Sequence, residues 1–118
     1  RSLDQAGELT ELGYPQAAIL AAWAALESTM RIRLRATGGQ AGWGSPPRQV
    51  LRELYSAGAL TPDEFRLAEQ ASKLRNYFAH GFANDGTDAS SLGLTVKALS
   101  DITRRLLNET QPLSQPAA

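Results

Sequence analysis

The chain reads as an all-α domain, an antiparallel bundle of four main helices led by a short N-terminal one. Three observations predict it. Apolar residues recur at three- and four-residue spacing through most of the chain. No run alternates apolar and polar residues as a half-buried strand does. Glycine and proline cluster at the junctions between the periodic stretches. No repeat or low-complexity block interrupts this order.

Leu3 to Leu12 forms the short first helix, begun near Ser2 or Asp4, with Leu3, Ala6, Leu9 and either Leu12 or Gly13 on its inner edge. Gly13 allows a tight turn, and Pro15 suits the first position of the next helix. That second helix, Pro15 to about Thr37, is the longest and the centre of the bundle. Ile19, Trp23, Leu26, Met30 and Leu34 make one stripe along it, and Ala18, Ala21, Ala22 and Ala25 permit close packing. Glu27 sits at the edge of the stripe, where a half-buried carboxylate needs a cation. Arg31, four residues on, is the favoured partner; Arg75 from a later helix is the alternative. Arg31, Arg33 and Arg35 together suit the negative end of the helix dipole.

Gly38 to Pro47 is a loop, with Trp43 either folded onto the core or open to a partner. Pro46 or Pro47 opens a third helix to about Ala57, with Val50, Leu51 and Leu54 inward. Gly58 ends it. Thr61 is an N-cap, Pro62 a first helical residue, and Asp63 and Glu64 complement the dipole of a fourth helix that runs to His80. Leu67, Ala71, Leu74 and Phe78 form its inner stripe. Asn76 and His80, four apart, share another face with Phe65, directed to water or to a second subunit, and Arg75 lies on the flank between the two faces. The polar stretch Gly81 to Asp88 is a connector. Ser90 or Ser91 caps the last helix to about Asn108, with Leu92, Val96, Leu99, Ile102 and Leu106 inward and Lys97, Asp101, Arg104 and Arg105 outward. Residues 1–110 thus form one domain and 111–118, with two prolines, a disordered tail.

At 118 residues the chain can bury a core without staples. Twelve basic and twelve acidic residues cancel, so no broad field draws nucleic acid, and any RNA contact is local. The chain has no cysteine, hence no disulfide or thiolate metal site, which agrees with a cytoplasmic location. No cluster of metal ligands stands out, and no cofactor is expected. The apolar run around Ala17 to Ala25 is too short and too rich in alanine to span a bilayer. A start at Arg1 instead of Met agrees with a piece cut from a longer protein, in which case any neighbouring domains lie outside this sequence.

Chemistry concentrates at Arg75-Asn76-Tyr77-Phe78-Ala79-His80, which contains the chain's single histidine. A guanidinium grips phosphate with a permanent charge, an imidazole moves a proton near neutral pH, and a carboxamide orients either. One histidine supplies one proton carrier, whereas phosphate transfer uses both an acid and a base. A two-fold dimer brings two copies together and provides both. As a purely structural feature, the same histidine would cap carbonyls before Gly81.

The arginine, polar residue, variable residues and histidine at the end of a late helix resemble the hallmark of the HEPN family, helical nucleotide-binding proteins of higher eukaryotes and prokaryotes. The stretches Gly13-Tyr14-Pro15-Gln16-Ala17-Ala18-Ile19 and Ala25-Leu26-Glu27-Ser28-Thr29-Met30-Arg31 are similar to the long early helix of bacterial members. The resemblance covers most of residues 6 to 107. It implies a dimer with the two motifs meeting between subunits and, in active members, a metal-independent endoribonuclease. His80 would handle the proton, Arg75 the phosphate and Asn76 their orientation, with Glu27, Tyr77 and Arg31 as binding residues. The resemblance also implies the alternatives of a toxin held by a nucleotidyltransferase antitoxin, and of a non-catalytic dimerisation or nucleotide-binding module in a larger protein.

Overall fold

Five helices follow one another in the computed structural model, α1 (Ser2–Glu11), α2 (Pro15–Ala36), α3 (Pro47–Ser56), α4 (Pro62–Ala79) and α5 (Ala89–Thr110). The structure describes residues 2–38, 44–80 and 89–110, and there is no strand among them. Trp43, the 81–88 connector, the 111–118 tail and the side chain of Leu3 lie outside the described residues.

Local chemistry sets the helix ends. At the α1–α2 turn, the Tyr14 N–H donates to the Leu9 carbonyl at 2.7 Å and the Gly13 N–H to that of Thr10 at 3.1 Å. Gly13 takes φ +84° to allow this, so the turn is a Schellman motif. The end of α3 repeats it, with Ala59 donating to Leu54 at 2.9 Å, Gly58 to Tyr55 at 3.0 Å, and φ +80° at Gly58. Three residues later a capping box starts α4. The Glu64 N–H donates to Thr61 Oγ1 at 3.1 Å, and Glu64 Oε1 accepts from the Thr61 N–H at 2.9 Å. Two otherwise orphaned donors are satisfied in one turn.

Helix α2 packs against all four other helices, and Ile19, Trp23, Leu26, Met30 and Leu34 are all buried. Each such side chain contributes roughly 1.5–3 kcal/mol over an exposed one. Neighbours around the bundle run antiparallel. Glu64 in the first turn of α4 meets Arg105 near the end of α5, and Trp23 in the first half of α2 shares a cleft with Arg75 near the end of α4. The pair in closest association, α2 and α5, instead runs in one direction. Arg33 and Glu109 bond at their C-terminal ends at 2.9 Å. Toward the other end, a Cβ at Gly93 near the start of α5 would meet at 3.7 Å the methyl of Thr10, in the last turn of α1 that leads into the start of α2.

Val50, Leu51 and Leu54 of α3 and Leu92, Val96, Leu99, Ile102 and Leu106 of α5 are buried as their spacing predicts. Three expectations need correction. Leu12 is 70 % exposed, because the Schellman turn carries it off the inner edge of α1. On α4 the buried positions are Ala68, Ala71 and Phe78, while Leu67 and Leu74 are half-buried; small residues take the tightest approach and the leucines flank it. Arg105 does not face outward. Its guanidinium bridges to Glu64, Glu109 and the Ala59 carbonyl.

No helix among the described residues is long and apolar enough to cross a membrane.

Candidate functional site

The last turn of α4 is anchored by Phe78, which is buried against the core and sits edge-on to Tyr77 with ring centroids 6.0 Å apart. With Phe78 turned inward, its neighbours Arg75, Asn76, Tyr77 and His80 are all exposed. His80 is the C-cap of the helix, and its backbone N–H donates to the Asn76 carbonyl at 3.1 Å. The histidine thus has a structural post at the helix end whatever else it does.

Arg75 Nη1 donates to Asn76 Oδ1 at 3.0 Å. That bond engages the carboxamide oxygen and leaves the NH2 available to donate to another group. The remaining guanidinium N–H groups and the amide NH2 are donors, which suits an anion.

Arg75 and Asn76 open onto a cleft of about 350 Å³ between the start of α3 and the second half of α4. Trp23 and Leu51 make its floor, Pro46 and Pro47 one wall, and Arg48 and Lys73 add two more cations. Glu69 and Ser72 complete the α4 side. Along α4 the residues Glu69, Ser72, Lys73 and Asn76 stand at i, i+3, i+4 and i+7, so one helix face supplies most of the polar lining. At its other end the same face is closed by α3, where Phe65 stacks on Tyr55 at 4.6 Å between centroids. It is therefore a face partly covered by α3, and only its C-terminal half is open.

The other predicted site residues are not gathered there. Tyr77 lies beside Gln70, Lys73 and Leu74 in a second, shallower depression on the flank of α4. His80 lines neither hollow. Glu27 is held within α2: Arg31 Nη2 and Nε donate to Oε2 at 2.7 and 3.2 Å, and Trp23 Nε1 donates to Oε1 at 3.0 Å. Arg31 is buried and Glu27 half-buried, so the favoured partner is the observed one. Both carboxylate oxygens are in use, and this pair holds Trp23 in position beneath the cleft.

Sequence reasoning missed Trp23, Arg48, Glu69 and Lys73 as members of the site. Two signals were present. Trp23, Glu27 and Arg31 follow one another at four-residue steps, the spacing of a hydrogen-bonded ladder on one helix face. Glu69, Ser72, Lys73 and Asn76 carry the polar counterpart of an amphipathic stripe. Among the described residues, no three His, Asp or Glu side chains stand as a group able to hold a metal ion.

Comparison of the chain with protein-family models, with curated proteins and with solved structures gives no match.

Proposed function

We propose that the chain is a metal-independent endoribonuclease of the HEPN type, working as a dimer on single-stranded RNA. One observation carries the reading. In a protein of zero formal net charge, Arg48, Lys73 and Arg75 line one cleft, together with Asn76, which Arg75 holds by a hydrogen bond. Local positive charge of this kind receives a phosphodiester without a general attraction to nucleic acid.

In this reading Arg75 binds the scissile phosphate and stabilises the charge that grows on its oxygens. His80 of one copy takes the proton of the ribose 2′-hydroxyl, and the oxygen attacks the neighbouring phosphorus. The bond from phosphorus to the 5′-oxygen breaks, and the His80 of the second copy protonates that oxygen. The products are a 2′,3′-cyclic phosphate and a 5′-hydroxyl. A role in a toxin–antitoxin pair, in phage defence or in RNA processing in the cytoplasm belongs to the same proposal, with a nucleotidyltransferase antitoxin or a fused domain as partner.

A second reading, a nucleotide-binding or dimerisation module that does not cut, is favoured by the position of His80 outside the cleft that Arg75 and Asn76 line. Incubating the protein with single-stranded RNA in EDTA separates the two. Cyclic-phosphate ends that disappear in His80→Ala support the ribonuclease; RNA bound but left intact supports the module.

A further inference from the structure

We infer that the α3–α4 cleft is a nucleobase pocket selective for guanine, placed to read the nucleotide whose phosphate Arg75 holds. The link to a cleaved phosphate rests on the ribonuclease reading, but the recognition of the base does not.

Three features of the cleft point to a base as well as a phosphate. First, cations occupy only part of it. Its floor and one wall are apolar, made by Trp23, Leu51, Pro46 and Pro47, whereas a site for phosphate alone has no use for such surface. Its volume of about 350 Å³ falls at the lower end of roughly 300–1,000 Å³ for small-molecule pockets. Second, Glu69 is a half-buried carboxylate in this cleft, and no hydrogen-bond donor or cation holds it among the described residues. A carboxylate in a cation-rimmed phosphate site works against the phosphate, so its presence calls for a donor on the ligand. Third, six residues separate Glu69 from Arg75, about 9 Å along the helix at about 1.5 Å per residue. That is the order of the reach from a phosphate to the hydrogen-bonding edge of its own base.

The carboxylate then selects among bases. Two acceptor oxygens side by side fit two adjacent donors. Guanine presents such a pair, N1–H and the 2-amino group, on its pairing edge. Adenine and cytosine offer an amino group next to an acceptor nitrogen, which the carboxylate repels, and uracil offers one N–H between two carbonyls. The edge is free for reading only in a single strand, and a cleft of about 350 Å³ has room for one base and not for a base pair with its backbones. With guanine in place, its ring lies on the apolar wall, Glu69 takes the paired N–H groups and Arg75 takes the phosphate.

Binding of guanosine and adenosine 5′-monophosphates and of inorganic phosphate to the intact protein, by calorimetry, tests this. The guanosine nucleotide should bind about tenfold or more tightly than the adenosine one, the discrimination of a good two-bonded base contact. Glu69→Gln, nearly isosteric and compatible with the helix, should bring that ratio close to one without weakening the binding of inorganic phosphate. Arg75→Ala should weaken both nucleotides alike. Equal affinity for the two nucleotides, no binding of either, or a preference that survives in Glu69→Gln would overturn the inference. The two proposals fail separately. RNA cleavage without regard to guanine leaves the ribonuclease and removes the pocket, and guanine-selective binding by a protein that cuts no RNA does the reverse.

Discussion

Glu64 and Arg105 form a two-bonded ion pair between the start of α4 and the end of α5, with Nη2 to Oε1 at 2.7 Å and Nε to Oε2 at 3.2 Å. Glu64 is also the capping-box residue of α4, so one carboxylate both starts its own helix and fastens another to it. Arg105 continues to Glu109 at 2.9 Å, and Glu109 accepts from Arg33 of α2 at 2.9 Å. Partial burial opposes the charge on Arg105, but its hydrogen bonds to Glu109 and Glu64 outweigh that and hold its pKa above the ordinary value.

Arg105→Ala should therefore cost about 1–2 kcal/mol, the lower part of the range for charged hydrogen bonds because the side chain is one-third exposed. Arg104→Ala, on the solvent face, should stay within about 0.5 kcal/mol. Urea unfolding of both variants measures the contrast. Equal costs would show that the network contributes nothing beyond an ordinary surface charge.

Hydrogen bonds from Arg33 and Arg105 hold the Glu109 carboxyl below its ordinary pKa. Its stabilising contribution is thus complete above the unfolded value, about 4.3, and is lost as pH falls through the lower folded value. The group is exposed, so the effect is small, about 0.5 kcal/mol or less. Stability followed from pH 7 to pH 3 should show the gap between the parent and Glu109→Gln closing on the acid side. A gap that widens there would give the linkage the opposite sign.

Glu27→Ala takes away the carboxylate that the buried Arg31 guanidinium and the Trp23 N–H both bond to. A loss of about 3 kcal/mol is expected, the low end for breaking a buried ion pair, since Glu27 is only half-buried. Replacing both members by Met should recover much of it. For comparison, Leu26→Ala in the fully buried core should cost about 2–5 kcal/mol. Thermal unfolding of the three variants ranks them, and a double Met variant no better than Glu27→Ala would argue against a desolvated charge as the cause.

If RNA is cleaved as proposed, His80→Ala should lower the rate about 10²–10⁴-fold and Arg75→Ala about 10²–10³-fold, with helix content unchanged by circular dichroism. Asn76→Ala should lose less, because it orients and transfers nothing. A substrate with 2′-deoxyribose at the cleaved position should not react, since the attacking oxygen is missing. Cleavage of that substrate, or a requirement for added magnesium, would exclude the mechanism.

Much of this architecture is legible in the residues alone. Thr61, Pro62 and Glu64 announce the start of α4 through a local hydrogen-bond pattern, and the stripes of α2 and α5 follow from period alone. Arg105 was not legible. By projection it points away from Leu99 and Leu106, and nothing in a single helix tells that another helix will end within reach of a long side chain. The inner face of α4 was misjudged for a related reason: leucines draw attention, yet Ala68 and Ala71 fill the closest approach. The cleft escaped notice because its floor, wall and polar face come from three helices. Asn76 could be placed on a surface face, but that α3 would roof half of it depends on a contact between Tyr55 and Phe65 that periodicity does not encode.

The co-directional pairing of α2 and α5 has a consequence for the order in which the chain assembles. Helices α1 and α2, joined by a three-residue turn, meet by a local closure that costs little entropy. The α2–α5 contact joins residues as distant as Arg33 and Glu109 and must wait for everything between them, so folding is slower than in a bundle of successive hairpins. Of the five helices, α5 is the last to be synthesised. Until it docks, the apolar face of α2 that it covers stays in water, and the nascent protein is vulnerable to aggregation for just that interval.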